Sequence, residues 1–237
     1  MKKFAWLSVL ACFTQPVFAA NINTLQLLTQ QQFKLFSEDL GAALSYKSAT
    51  PAEPLGITGF ELGIGVSSTK MNNPQLWSTV TGGASTAKSI LLPKFYIYKG
   101  LPFNIDVAGF YSRVPTTNIK LTGLELRYAV LEGGVALPAV AIRGSTTRLN
   151  GVEQLALSTK NLDVSVSKGF AFLTPFAGVG SVWVDCNPNA GTLKKETFRQ
   201  SKAFAGVNIN MGFSNFVIEY DKTGSSTSYS AKLGFRF

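Results

Sequence analysis

Residues 226–237 read STSYSAKLGFRF, and this stretch decides the fold class. Every second side chain from Tyr229 to Phe237 is apolar, while the residues between them are polar, charged or glycine. Successive side chains of a β-strand point to opposite faces, so the pattern predicts a strand with one apolar and one polar face. The same alternation recurs upstream, for example over residues 60–67 and 122–130.

The alternating segments are long for a soluble sheet. Soluble strands usually have about 5–6 residues, whereas a tilted strand needs about 9–11 residues to cross a bilayer. We therefore predict an all-β fold, an antiparallel transmembrane β-barrel of about ten strands, within a range of about 8–12. The alternation changes phase between Thr159 and Leu162, which predicts a bulge. The predicted strands are 57–67, 88–98, 102–113, 118–130, 134–147, 152–167, 170–185, 199–213, 215–222 and 226–237.

The predicted connections alternate between short and long. The short ones are 99–100, 132–134, 168–169 and 214–215, and the longer ones are 68–87, 114–117, 145–153, 186–198 and 221–226. Outer-membrane barrels have short periplasmic turns and longer external loops. We therefore expect both chain ends on the periplasmic side, and Trp77 and Cys186 exposed in external loops.

The N-terminus has the order of features of a secretory signal. Lys2 and Lys3 precede an apolar run, and small residues follow up to Ala20. Residues 1–20 are therefore predicted to be a cleaved signal peptide. The alternative is lipidation of Cys12, because Val9-Leu10-Ala11-Cys12 loosely resembles a lipobox.

Residues 21–56 do not alternate and form a separate segment ahead of the barrel at 57–237. The apolar residues between Leu25 and Leu40 suit a short amphipathic helix. Residues 49–54 then have the composition of an extended linker. The helix either plugs the lumen or caps the periplasmic mouth.

Composition narrows the classes of function. Charged residues make up 15% of the chain, below the roughly 25% of a typical soluble domain, and histidine is absent. Without histidine, mechanisms that use a histidine base or metal ligand are excluded. We predict no enzyme, no catalytic residue, no metal site and no cofactor. The net charge of +9 is spread along the chain without a dense basic run, so nucleic acid is not a predicted partner.

The polar faces of the predicted strands should line the lumen, and they carry both signs of charge. Buried charges persist when they are paired, so a mixed set predicts an ion-pair network that fills a narrow barrel. The alternatives are a narrow path in which Arg127 and Arg143 select anions, and a pocket for a small apolar solute lined by Tyr96, Phe110 and Phe204. The predicted network comprises Glu61, Lys94, Asp106, Glu125, Arg127, Arg143, Asp163, Lys202, Glu219, Lys232 and Arg236.

With these features the sequence resembles the bacterial outer-membrane β-barrel proteins. The terminal KLGFRF is similar to the signal that the barrel-assembly machinery recognises, with Tyr229, Leu233, Phe235 and Phe237 at its apolar and aromatic positions. The resemblance implies the outer membrane as the location. It implies membrane lipid as a permanent partner, and the barrel-assembly machinery and periplasmic chaperones as partners during biogenesis.

Two main hypotheses for the function follow. The first is a structural or interaction protein with a filled lumen that presents its loops outside. The second is a narrow or gated channel for small solutes, hydrophobic ones included, with residues 21–56 as the plug. A soluble periplasmic β-protein is a third hypothesis.

Overall fold

The computed structural model describes residues 21–84, 88–115, 117–134 and 136–237. The predicted signal peptide and Cys12 lie outside these residues. Two helices, α1 (Gln30–Leu44) and α2 (Pro74–Val80), accompany ten strands. The strands are β1 (Phe60–Lys70), β2 (Ser89–Leu101), β3 (Ile105–Arg113), β4 (Lys120–Glu132), β5 (Ala139–Asn150), β6 (Leu155–Ser167), β7 (Leu173–Pro188), β8 (Glu196–Met211), β9 (Ser214–Thr223) and β10 (Ser226–Arg236).

The ten strands form one closed antiparallel barrel, which confirms the predicted fold class and strand number. Each strand pairs with its neighbours in sequence, and β1 closes the ring against β10. In this register Glu61 lies opposite Arg236, and Gly65 lies opposite Lys232. We call the end that holds the start of β1 and the end of β10 the lower end, and the other the upper end.

Alternate residues of each strand face the lumen or the outside. On β4, Leu121, Glu125 and Arg127 are buried inside, while Leu124 and Leu126 are exposed outside. Outward-facing Tyr111 and Trp183 lie toward the upper end, and Tyr128, Phe235 and Phe237 toward the lower end. The barrel wall therefore presents an apolar belt with aromatic side chains at both margins.

The predicted bulge between Thr159 and Leu162 is wrong. The register of β6 is continuous with both neighbours, and the irregular step lies on β4, between Ala129 and Leu131. The polarity of β6 changes because Leu155 and Leu157, near its upper end, point inward into the hydrophobic core. At that end the inward-facing residues are apolar and the outward-facing residues are polar. The order of polar and apolar residues is therefore reversed there, although the backbone continues without a bulge.

Short and long connections do not alternate strictly. The lower connection between β4 and β5 spans 133–138, whereas the upper one between β9 and β10 is a two-residue turn at Gly224 and Ser225. Gly224 has φ +58, a conformation that glycine adopts readily and that lets a turn be this tight. This part of the loop-sorting prediction is therefore wrong.

Trp77 and Cys186, predicted to be exposed, are both buried. Trp77 lies on α2, which folds back over the upper mouth, and Cys186 lies inward near the upper end of β7. The prediction for Trp77 was wrong because the 71–88 connection contains helix α2. An amphipathic helix packs its apolar side against the core, and Trp77 lies on that side.

The N-terminal segment passes through the barrel from the upper to the lower end. At the top, the backbone N–H of Asn23 donates to the carbonyl of Val80 at 3.1 Å. Helix α1 follows, begun by a capping box between Thr29 and Gln32. Residues 45–59 then descend to β1, so residue 21 lies at the upper end and Phe237 at the lower. The start of β1 and the end of β10 do lie on one side, as the even strand number requires, whereas the segment ahead of the barrel places its first described residue on the other side.

No helix in the described ranges is long and apolar enough to span a bilayer.

Candidate functional site: the barrel lumen

The upper part of the lumen holds α1 and the main hydrophobic cluster. Phe33, Phe36 and Leu40 of this helix are buried, and Phe36 stacks on Trp77 with ring centroids 5.9 Å apart. A Cβ on Gly41 would lie 2.8 Å from a methyl of Val184 on β7. Such close approach requires glycine here and indicates that helix and wall are packed without a gap at this point.

Below α1, the chain changes from apolar to polar contacts. The Lys47 ammonium forms an ion pair with Asp221 on β9, and both side chains are fully buried. It also donates to the carbonyl of Ala42 at 3.1 Å and to the hydroxyl of Ser45 at 2.9 Å. A buried ion pair needs such additional hydrogen bonds to offset desolvation. Lys47 thus ties the segment to the wall.

Three further residues of the segment contact lumen carboxylates predicted from the sequence. The hydroxyl of Ser48 donates to Glu125, and the backbone N–H of Ala49 donates to Glu219 at 3.1 Å. Lower down, the N–H of Leu55 donates to Asp106 at 3.0 Å. These carboxylates therefore face the segment rather than an open channel.

Arg127 and Arg143 also face the segment. Arg127 donates to Asp106 at 2.7 Å and to the carbonyl of Pro51 at 2.6 Å. Arg143 donates to the carbonyls of Thr50 and Pro51, each at 2.7 Å. The extended chain at 50–51 leaves its carbonyls free for these guanidinium groups, because it is part of no helix or sheet.

The other predicted lumen charges lie along the wall. Lys202 pairs with Asp163 at 2.7 Å and also donates to the carbonyl of Tyr46. Lys94 is buried, and its ammonium has no hydrogen-bond partner among the described residues, although it lies 4.8 Å from the ring centroid of Phe110. Lys94 is thus the least compensated charge of the predicted network.

Glu61 forms ion pairs with the remaining two predicted bases, Lys232 and Arg236, at the seam between β1 and β10. It accepts from Lys232 at 2.6 Å and from Arg236 at 2.9 Å. It also accepts from the amide of Asn215 at 3.1 Å. Lys232 is buried, whereas the Arg236 side chain is 40% exposed at the lower mouth. This cluster joins three consecutive members of the closed ring, β9, β10 and β1.

The structure places the three residues of the predicted aromatic pocket, Tyr96, Phe110 and Phe204, in two different clusters. Tyr96 and Phe110 lie together, with centroids 6.0 Å apart, but Tyr46 of the segment packs on Phe110 at 5.2 Å and fills the space between wall and segment. Phe204 belongs to a different cluster, with Phe176. The predicted pocket was defined by wall residues alone, and the side chain of Tyr46 from the segment lies against one of them, Phe110.

The residues of the predicted assembly signal face outward on the last strand. Tyr229 and Phe235 are exposed on the belt, and Tyr229 packs edge-on against Tyr220 of β9. The backbone N–H of Phe237 donates to Phe60 at 2.8 Å. The last residue of the chain therefore takes part in closing the ring.

Sequence reasoning missed Lys47 and Asp221. Asp221 lies two positions after Glu219 and shares its inward parity, so the period of β9 contains the signal. Lys47 lies in a segment without periodicity and gave no signal. In the described ranges, no group of three or more histidine, cysteine, aspartate or glutamate side chains is arranged to hold a metal ion.

No protein-family model matches the chain, and the search of curated proteins found no match. Among solved structures, the chain is similar to OmpTdeltaL8, a loop-deletion mutant of an outer membrane protein of Vibrio cholerae, with 14% identity and a TM-score of 0.32. That match covers 62% of this chain and 54% of the other, so the chain spans about half the length of that protein.

Two similar structures are covered almost completely. The match to Ail, the attachment invasion locus protein of Yersinia pestis, has 12% identity and a TM-score of 0.32, and covers 76% of this chain and 99% of Ail. The match to the outer membrane protein OprG of Pseudomonas aeruginosa has 8% identity and a TM-score of 0.32, and covers 79% of this chain and 99% of OprG. These similarities are distant, and the function is inferred from the barrel's own residues.

Proposed function

We propose that this protein is an integral outer-membrane barrel held closed by its own N-terminal segment, and that it acts as a structural or interaction protein presenting its upper surface outside the cell. The observation that carries the proposal is the course of residues 21–59 through the whole lumen. Buried apolar contacts hold this segment at the top, and buried charged contacts hold it below.

The outer wall supports the membrane part of the proposal. Water-exposed surfaces rarely present a continuous apolar band, whereas a barrel in a bilayer requires one. The outward apolar side chains are distributed around the ring, on six of its strands, and include Ile64, Phe95, Leu124, Leu162, Val179 and Ile218, each more than two-fifths exposed. In the closed ring every strand is hydrogen-bonded to a neighbour on both sides and no sheet edge is left open, which is the condition for a β-structure to cross lipid.

Packing inside the barrel supports the closed state. A lower-end cavity bounded by Thr50, Glu61, Tyr98 and Arg127 has a volume of about 20 Å³. A space of that size holds about one water molecule. Above it lie the contacts of Ser48 and Lys47, and above those the apolar layer around α1. A hydrated ion would have to displace the segment to cross.

Conductance across planar bilayers tests the proposal. The chain without residues 1–20 should insert and show no steady current, while a variant that also lacks 21–56 should conduct. Heat-modifiable migration on a gel establishes in parallel that both proteins are folded barrels. Steady current through the intact chain would refute the closed barrel, and silence of a folded deletion variant would refute the plugging role of the segment.

A gated channel is the second candidate, favoured by the way the segment is held. Its lower half is attached through polar contacts that water could replace. Within the described part of the chain, the Lys94 ammonium and the Nε and one terminal nitrogen of Arg143 have no hydrogen-bond partner. Displacement of the segment would leave these bases lining a path that favours anions. Voltage-dependent, anion-selective openings of the intact chain would support this candidate over the first.

A further inference from the structure

The upper margin of the outer wall carries a one-signed set of charges. On seven strands the first charged side chain above the apolar belt points outward and is basic and exposed. On β7 it is Asp185, which is ion-paired with Lys195. We call the seven residues the basic collar: Lys70, Arg113, Lys120, Arg148, Lys160, Arg199 and Lys222.

None of the collar residues forms an ion pair with a carboxylate in the part of the chain that the structure describes. Arg199 is satisfied in another way, since it donates to Ser181 and lies 5.5 Å from the ring of Trp183. The lower margin differs, because among the described residues its strands carry a single outward charge, Lys99, while Glu132 shares the inward face of Ala139. The basic charge is therefore concentrated at one end of the belt.

Four collar residues crowd together on consecutive strands. Arg113 of β3 lies directly opposite Lys120 of β4. Arg148 of β5 is paired with Thr122, diagonal to Lys120, and Lys160 of β6 is paired with Thr146, diagonal to Arg148. Like charges at opposite and diagonal positions repel one another, so this β3–β6 cluster is stabilised when an anion lies among them.

Directly below this cluster the wall is indented. Gly109 has no side chain on the outer face, and the resulting groove has a volume of about 570 Å³. Phe95, Ile97, Tyr111 and Leu124 line it, and Arg148 closes its upper end. The groove is predominantly apolar, lies within the belt and meets the basic cluster at the belt's margin.

We propose that the groove and the β3–β6 cluster bind one molecule of a phosphorylated lipid. An acyl chain lies in the groove over Gly109, and the headgroup phosphate accepts hydrogen bonds from Arg113, Lys120 and Arg148. Guanidinium and ammonium groups are the side chains that bind phosphate most strongly, and an apolar groove recognises the chain. This inference rests on the proposed membrane location, and it goes beyond it by naming a lipid class and a place.

Native mass spectrometry of the full barrel in non-ionic detergent measures this binding. The probes are dioleoyl phosphatidic acid and dioleoylglycerol, which share their acyl chains and differ in the phosphate. We expect one phosphatidic acid to be retained with an affinity at least about tenfold higher than that of dioleoylglycerol. Equal retention of the two lipids would overturn the proposal.

Two variants test the basic cluster and the apolar groove separately. Arg113→Gln/Lys120→Gln/Arg148→Gln should abolish the preference for phosphatidic acid, and Gly109→Leu should weaken both lipids by filling the groove. A Cβ on Gly109 meets its nearest atoms at 3.4 Å, so the wall accommodates the first atom of the side chain, and the folded state of the variant is checked by heat-modifiable migration. The control Arg199→Gln/Lys222→Gln removes the same kind of charge from strands without the groove and should leave the preference intact. Loss of the preference in that control, or its survival in the triple variant, would refute the site.

Two more measurements distinguish lipid binding from the binding of a free anion, and the lipid site from membrane insertion. Inorganic phosphate at the same concentration should not displace the lipid; displacement would show a simple anion site without lipid recognition and overturn the proposal. Flotation of the chain with neutral phosphatidylcholine vesicles tests membrane insertion alone. Flotation without phosphatidic acid preference rejects the lipid site only, whereas failure to float rejects the proposed function.

Discussion

The Oγ of Ser37 on α1 lies 3.2 Å from the Sγ of Cys186 on β7, in a fully buried position. The two residues are 149 positions apart in sequence, and their contact joins the N-terminal segment to the barrel wall. Cys186 is the one cysteine of the described residues and is unbridged. The contact therefore offers a native thiol at which the segment can be fixed covalently.

Ser37→Cys should form a disulfide with Cys186 under mild oxidation, because a disulfide needs its two sulfur-bearing side chains this close and facing each other. The bridge should raise the free energy of unfolding by about 2–4 kcal/mol. Thiol labelling of the unfolded protein, before and after reduction, measures its formation. Ser37→Ala is the control, and two free thiols after oxidation would contradict the contact.

The same variant separates the two proposed functions. If the protein is a gated channel, oxidised Ser37→Cys should lose its openings in planar bilayers and regain them when a reductant is added. If the barrel is permanently closed, oxidation should change no current. Because only the redox state differs, lipid and protein preparation are matched within one experiment.

Removing Lys47 should destabilise the barrel strongly. Lys47→Ala leaves the Asp221 carboxylate buried without its partner, at a cost of about 3–5 kcal/mol. Lys195→Ala removes one partner of the pair with Asp185, whose side chains are 52% and 45% exposed, and should cost about 0–1 kcal/mol. Urea unfolding of both variants in phosphatidylcholine vesicles measures the two losses of unfolding free energy. Similar losses for the two variants would contradict the burial of Lys47.

Glu61→Gln should impair closure of the ring. The amide keeps the shape of the side chain but leaves Lys232 buried without a carboxylate, which we expect to cost about 3 kcal/mol. Since this cluster spans the seam between β1 and β10, the folded fraction seen as heat-modifiable migration should fall. Glu132→Gln, an exposed carboxylate at the same end, should fold like the wild type.

Close packing at the lower lumen predicts a large effect of one methyl group. A Cβ on Gly206 would lie 2.5 Å from both the carbonyl oxygen of Ile218 and the ring of Phe176, so Gly206→Ala should destabilise by about 1–3 kcal/mol. The matched control is Gly144→Ala on the outer wall, where a Cβ meets nothing within 4 Å. Equal unfolding midpoints for the two variants would contradict this packing.

The course of the segment predicts a topology. An epitope placed immediately before Asn21 should be detected on intact cells, since the backbone N–H groups of Asn23 and Thr24 donate to the carbonyl of Val80 in the upper connection. An epitope inserted between Gly212 and Phe213, in a lower turn, should be detected only after permeabilisation. The reverse pattern of detection would show that the lower end of the barrel faces the outside of the cell.

Period-two alternation was sufficient to predict the ring because lipid outside and polar contacts inside impose opposite requirements on neighbouring residues. It predicted ten strands and the inward position of the lumen charges from Glu61 to Arg236. It failed at Leu155 and Leu157, where the interior is apolar. The prediction assigned every apolar face to the lipid and every polar face to the lumen, and this assignment does not hold at the upper end. Nothing in the sequence periodicity placed Lys47, because its partner Asp221 is brought to it only by the fold.

The segment 21–59 continues directly into β1, and β1 is also the strand that closes the ring. An α-helix with its side chains is about 10–12 Å across, and α1 occupies a mouth already packed to contact. A finished ring would offer the folded helix no passage from the lower end to the upper, so the segment has to enter the lumen either before α1 folds or before the seam closes. We therefore expect substitutions in α1 to change the rate at which the barrel assembles.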